Sequence, residues 1–226
     1  MTRPWLCRPI PLAVVSVQMA LAGCATAPEA AKPVGKGPPP AESPAPKAKA
    51  PAPAMAAAAG IALCPIEISN PPPLGKDGKA IGGPIVAIKG VRLLLQPATN
   101  VCLSSGYGPR NGKLHRGVDY HTRAAGDVLA AGDGTILEAT TRADFGNMIV
   151  IDHGGGVYTR YAHLASFGSS AKQGAPVRGG DVLGPIGATG ATSVRHLHFE
   201  IMTGKYVSGV GTFGLSTHNP FDLPPP

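Results

Sequence analysis

HLHFE, residues 196–200, is the stretch on which the reading of this chain turns. In a β-strand alternate side chains share a face. Strand geometry therefore sets His196 and His198 on one side and turns Leu197 and Phe199 to the other. Backbone positions two apart in a strand lie roughly 7 Å from each other. Two imidazoles at that spacing make a poor apolar core and a plausible start to a metal site. A lone His-x-His is more often hydrogen-bonded or half-exposed, so the assignment needs partners elsewhere. All seven histidines lie after residue 114.

Outward from this motif the chain reads as β. IVAIKGVRLLL, DVLAA, GTILEAT, NMIVIDHG, VYTRYAHL and HLHFEIMT are short runs rich in apolar and β-branched residues, separated by glycine-rich turns such as DHGGG and RGGD. No stretch of the domain carries a sustained helical period with caps. The expected fold class is all-β, a compact antiparallel sheet or sandwich.

Candidate partners collect in two further places. GYGPRNGKLHRGVDYHT carries His115 and Asp119 four apart, and Gly117 and Val118 favour a loop entering a strand over a helix. From such a turn the pair can bracket a metal from two sides, and both residue types are zinc ligands. VYTRYAHL adds His163, which regular strand periodicity places on the same face as Tyr161. His121 falls on the same side as Asp119 and competes as a ligand. Periodicity thus implies a metal site without choosing among His115, Asp119, His121, His163, His196 and His198.

The N-terminus reads differently. Arg3 and Arg8, an apolar run from Pro11 to Leu21 and then small residues have the layout of a secretory signal over residues 1–23. Leu21-Ala22-Gly23-Cys24 resembles the lipobox of bacterial lipoproteins, which implies lipidation of Cys24. Several acyl chains on one cysteine anchor stably, at about 0.8 kcal/mol per buried CH₂. Ala25 in place of aspartate implies, by the same resemblance, an outer-membrane lipoprotein facing the periplasm of a Gram-negative cell. Residues 24–60 are dominated by Ala and Pro and have little to bury, so a disordered tether is expected. Extended, it reaches on the order of 100 Å.

Residues 61–226 have the size of one domain. They hold 14 Lys and Arg against 11 Asp and Glu, so much of the chain's +7 lies in signal and tether. No basic stripe interleaved with aromatics appears, which speaks against a nucleic-acid partner. With Cys7 in the signal and Cys24 lipidated, Cys64 and Cys102 remain. In an oxidising compartment a disulfide is their default.

His115-Arg116-Gly117-Val118-Asp119, Tyr161-Ala162-His163-Leu164 and His196-Leu197-His198-Phe199-Glu200, in that order, resemble the lysostaphin/LytM-type zinc metallopeptidases. The likeness runs from about Ser104 to Met202 and includes NPFDLP near the end. It implies a LytM-type (duplicated hybrid motif) domain over 104–226, with 61–103 as a disulfide-linked N-terminal segment. It implies one zinc ion on His115, Asp119 and His198, with His163 and His196 as catalytic residues. His121, His153 and His218 are then ordinary histidines. The implied activity is hydrolysis of cross-link peptides in peptidoglycan, with D-alanyl–diaminopimelate as the expected D,D-bond. Relatives that have lost the ligands act as non-catalytic activators of cell-wall amidases, which is the alternative reading. Residues 205–218 form a glycine-rich insertion that is expected to line the cleft.

Overall fold

The computed structural model describes residues 60–226. The expected signal peptide, the lipidated Cys24 and the tether up to residue 59 lie outside the described residues. The described chain is β almost throughout. Its strands are β1 (Ile85–Ile88), β2 (Val91–Leu94), β3 (Cys102–Ser105), β4 (Gly108–Arg110), β5 (Lys113–His115), β6 (Val118–His121), β7 (Asp127–Leu129), β8 (Gly134–Arg142), β9 (Gly146–Asp152), β10 (Val157–Leu164), β11 (Pro176–Val177), β12 (Val182–Pro185), β13 (His196–Thr203) and β14 (Ser216–His218). One turn of 3₁₀ helix follows at Pro220–Asp222, capped by the Asn219 side chain.

One antiparallel sheet dominates, in the order β11-β8-β9-β10-β13-β6-β3, with β14 pairing β13. Its two faces follow the strand period of two. Val118, Tyr120, Ile149, Ile151, Tyr161, Leu197, Phe199 and Ile201 turn to the main core. The hairpin β1–β2 and the ribbon β7–β12 cover that face, sending Val86, Leu93, Val128 and Leu183 into the same core. The opposite face holds a smaller cluster of Met148, Val150, Tyr158, Ala162 and Met202, and beside it the polar site. β10 is buried at every position because both of its faces are covered. Its polar members, Thr159, Arg160 and His163, are buried with it and hydrogen-bonded.

Cys64 and Cys102 form the expected disulfide. It fastens a short strap to the outer edge of the sheet, where Leu63 and Ser69 bridge Leu103 and Ser105 in parallel. The strap occupies hydrogen-bonding groups that an edge strand otherwise leaves bare. Gly106 donates its N–H to the Ser69 carbonyl at 2.8 Å. Residues 61–103 thus contribute to the same core and the same main sheet as the rest.

Candidate metal centre

The site is made by strand register. β13 pairs β6 so that His198 faces Asp119 and His196 faces His121. On β6 and β13 these positions share the polar face, as alternation requires. His115 ends β5, and the turn through Gly117 brings it back over Asp119. A Cβ on Gly117 would collide with the Phe199 carbonyl and press on the His198 ring, so the turn tolerates only glycine there.

His115, Asp119 and His198 converge, all three buried. His115 Nε2 lies 3.1 Å from Asp119 Oδ1 and 3.1 Å from His198 Nδ1, which is 2.9 Å from the same Oδ1. The far nitrogen of each ring fixes its tautomer. His115 Nδ1 lies 2.7 Å from the Gly106 carbonyl, which can only accept, so that nitrogen carries the proton and Nε2 is bare. His198 Nε2 donates to Glu200 Oε1 at 3.0 Å, which leaves Nδ1 as the inward atom. Two bare ring nitrogens and a carboxylate oxygen then meet with no proton among them, an arrangement that demands a cation. Without a metal, a proton serves. Burial disfavours charge on His198, but Asp119 and Glu200 outweigh it and raise its pKa to about 9. Burial likewise opposes ionisation of Asp119, and His115 and His198 overcome it, holding the carboxyl well below its usual range. A tetrahedral ion with bonds of ~2.0–2.1 Å spaces its ligands roughly 3.3 Å apart, close to the separations here. The donor set fits such an ion.

Behind the triad lies a buried ion pair. Arg160 Nη1 reaches both Glu200 oxygens, at 2.9 and 3.0 Å. Its Nη2 donates to Thr212, and its guanidinium lies 4.2 Å from the Phe145 ring centroid. Glu200 is 1 % exposed. Carboxylates that hold the outer N–H of a ligating histidine set its orientation and basicity. Thr212 ties the 205–218 insertion to this pair. Arg110 Nη1 adds bonds to Asp119 Oδ2 and Ser105 Oγ, both at 2.9 Å.

His163 departs from its expected face. Regular periodicity places it beside Tyr161, in the core. The β9–β10 register shifts between Tyr161 and Leu164, and His163 adopts φ 65°. The bulge throws its ring onto the polar face, 4.7 Å from the His196 ring, while Tyr161 stays buried with its hydroxyl accepting from the Ala131 N–H. Both histidines turn Nδ1 to a backbone carbonyl, Thr189 for His163 and Val194 for His196. Both Nε2 atoms are thereby free to act as bases. Burial lowers both pKa values, that of His163 to about 4.

All five sequence-proposed residues line one cavity of about 350 Å³. His121 turns its Nδ1 to the Arg195 carbonyl. His153 bonds Asp133 and Thr159, and His218 bonds Thr203. None of these three lines the cavity. Arg160, Arg110 and Thr189 carried no sequence signal, since their roles arise from pairing across the sheet. Glu200 did carry one, because it shares strand parity with His198.

An antiparallel sheet bearing a buried His–Asp–His cluster defines a candidate metal centre. The chain matches the family model of Peptidase family M23 over residues 113–209. It is 38% identical over 112 residues to the DD-carboxypeptidase/endopeptidase Mpg of Neisseria meningitidis, covering 47% of this chain and 25% of that protein. The chain thus spans about a quarter of the length of that curated relative. It is 30% identical to the catalytic domain of lysostaphin from Staphylococcus simulans, over 54% of this chain and 90% of that one, with TM-score 0.46. A zinc containing peptidase from Vibrio cholerae shares the fold, at TM-score 0.51 and 24% identity, over 66% of this chain and 49% of that one.

Proposed function

We propose that this protein is a zinc-dependent endopeptidase of peptidoglycan cross-links, acting on the D-alanyl–diaminopimelate bond. The observation that carries the reading is the convergence of two bare imidazole nitrogens and a carboxylate oxygen beside two further neutral histidines. His115 Nε2, Asp119 Oδ1 and His198 Nδ1 would hold the ion. Zinc bound there supplies Lewis acidity and makes water acidic enough to react near neutral pH. Structural zinc sites usually close four positions with Cys and His, whereas three ligands with one carboxylate suit hydrolysis.

The chain's own groups then manage the protons. Lowered pKa values keep His163 and His196 neutral at pH 7, with Nε2 as the receiving atom. One of them accepts the proton of the attacking water while the other supports the charge developing on the carbonyl oxygen. The accepted proton passes to the departing amine as the C–N bond breaks, leaving a carboxylate and an amine. Arg160 and Glu200 hold His198 in place, and Gly106 does the same for His115. The D,D-specificity is supported by the name of the Neisseria relative. The signal, Cys24 and the tether support an outer-membrane anchor facing the periplasm, which loss of lipid labelling in Cys24→Ser tests.

The oxidised, zinc-loaded chain incubated with Gram-negative peptidoglycan should release un-cross-linked muropeptides, read by mass spectrometry. His163→Ala should keep zinc and lose turnover, and His198→Ala should lose zinc. Intact cross-links with the wild-type protein would overturn the reading.

A further inference from the structure

A second hollow opens beside the metal centre, on the side of the strap. It has a volume of about 590 Å³, well within the range of ligand pockets. Asp119 and His196 belong to its wall, so it is continuous with the reacting groups. The far wall is the Cys64–Cys102 disulfide with Pro65 and Ile66. Those residues precede 113–209, so the wall is built by a part of the chain outside the family match. Backbone bonds from Cys64 N–H to the Leu103 carbonyl and from Leu103 N–H to the Ala62 carbonyl, each 2.9 Å, hold it in place.

The chemistry of this cleft is one-sided. Among the described residues that line it, the cations are Arg110 and Arg123 and the one acid is Asp119. That carboxylate is already engaged by His115, His198 and Arg110. Arg110 is committed to Asp119 and Ser105, which leaves the exposed Arg123 to meet an incoming anion. Ile66 and Val194, both about half exposed, flank it with aliphatic surface. Apolar flanks with one outward guanidinium suit a short peptide that carries a free carboxylate near its scissile bond, because guanidinium and carboxylate pair in a planar fork.

We propose that this cleft is a substrate subsite in which Arg123 selects cross-link peptides bearing a free carboxylate beside the bond to be cut. The inference rests on the endopeptidase reading above. It assigns the disulfide-bound strap a specificity role, as the wall that turns an open groove into a cleft.

The test uses two synthetic cross-linked peptides, identical except that this carboxylate is free in one and a carboxamide in the other. The oxidised, zinc-loaded chain should cleave the free acid with about fivefold higher kcat/KM, the scale of a solvent-accessible ion pair. The difference should lie in KM. Arg123→Gln should erase the preference and leave kcat unchanged, and Arg123→Lys should restore part of it. A preference that survives in Arg123→Gln overturns the subsite, as does a change confined to kcat. Binding of both peptides to zinc-loaded His163→Ala, measured by calorimetry, separates the two claims. Preferential binding of the free acid without any wild-type turnover would sink the endopeptidase reading and leave the subsite standing. Equal binding of the two peptides sinks the subsite whatever the turnover.

Discussion

His163 offers a backbone experiment as well as a chemical one. It is a buried, non-glycine residue with φ 65°, 8 % exposed, at the register shift in β10. An L-residue held in the left-handed region costs roughly 1–2 kcal/mol, because Cβ crowds the following carbonyl. Glycine avoids that cost but adds about 0.4–1 kcal/mol of unfolded-state entropy. His163→Ala and His163→Gly lose the same ring, the same contact with His196 and the same bond to the Thr189 carbonyl. Their difference isolates the backbone, and the balance favours glycine by about 0.5–1 kcal/mol. For a domain of this size about 1 kcal/mol corresponds to roughly 2–4 °C in Tm. The comparison is made by thermal or urea unfolding of oxidised protein in chelator, so that metal binding adds nothing to either variant. Glycine should melt higher although it is usually the weaker residue inside a strand. Equal stability, or a more stable alanine variant, would mean that the bulge is unstrained and that its placement of the ring costs the fold nothing.

Other perturbations test the surroundings. Glu200→Gln should lower metal affinity about 10–100-fold, read by competition with a chromophoric chelator. Arg160→Met strands a carboxylate that is 1 % exposed and should cost about 3–5 kcal/mol, measured by urea unfolding; pairing it with Glu200→Met should recover part of the loss. Cys64→Ser with Cys102→Ser opens a loop of sequence separation 38 and should cost roughly 4 kcal/mol on the chain-entropy model, seen as a lower Tm than the oxidised parent. Burial keeps the folded pKa of His153 below 6.5, so the unfolded chain takes the proton first as pH falls. Stability should therefore drop as pH passes down through about 6.5, and His153→Gln should flatten that part of the curve in melts at several pH values.

Much of this was legible because a strand repeats every two residues. His196 and His198 opposite Leu197 and Phe199 required no knowledge of neighbours, and neither did the all-β class. The choice of His198 over His196 and His121 as ligand was of another kind. It depends on which residue of β6 faces which residue of β13, and the likeness to known peptidases supplied that choice where periodicity could not. His163 escaped a periodic reading because one residue with positive φ reverses the alternation. The Arg160–Glu200 pair spans forty positions of sequence and exists only through the β10–β13 register, where the two residues are direct partners. The Cys64–Cys102 bond followed from compartment and count, but the parallel course of its strap along β3 did not.

The order of the central strands has a consequence for how the protein comes into being. β6 and β10 are not neighbours; β13 lies between them and joins them. A chain emerging from its N-terminus therefore presents His115, Asp119 and His163 long before anything can bring them together. Only when residues 196–203 slide into the gap do the strands beside them acquire partners on that side, and the same insertion delivers His196, His198 and Glu200. A nascent or truncated chain that stops short of residue 196 thus lacks His198 and cannot assemble the cluster. Closure of the sheet and assembly of the His–Asp–His cluster are a single late event, fixed by the place of β13 between β6 and β10.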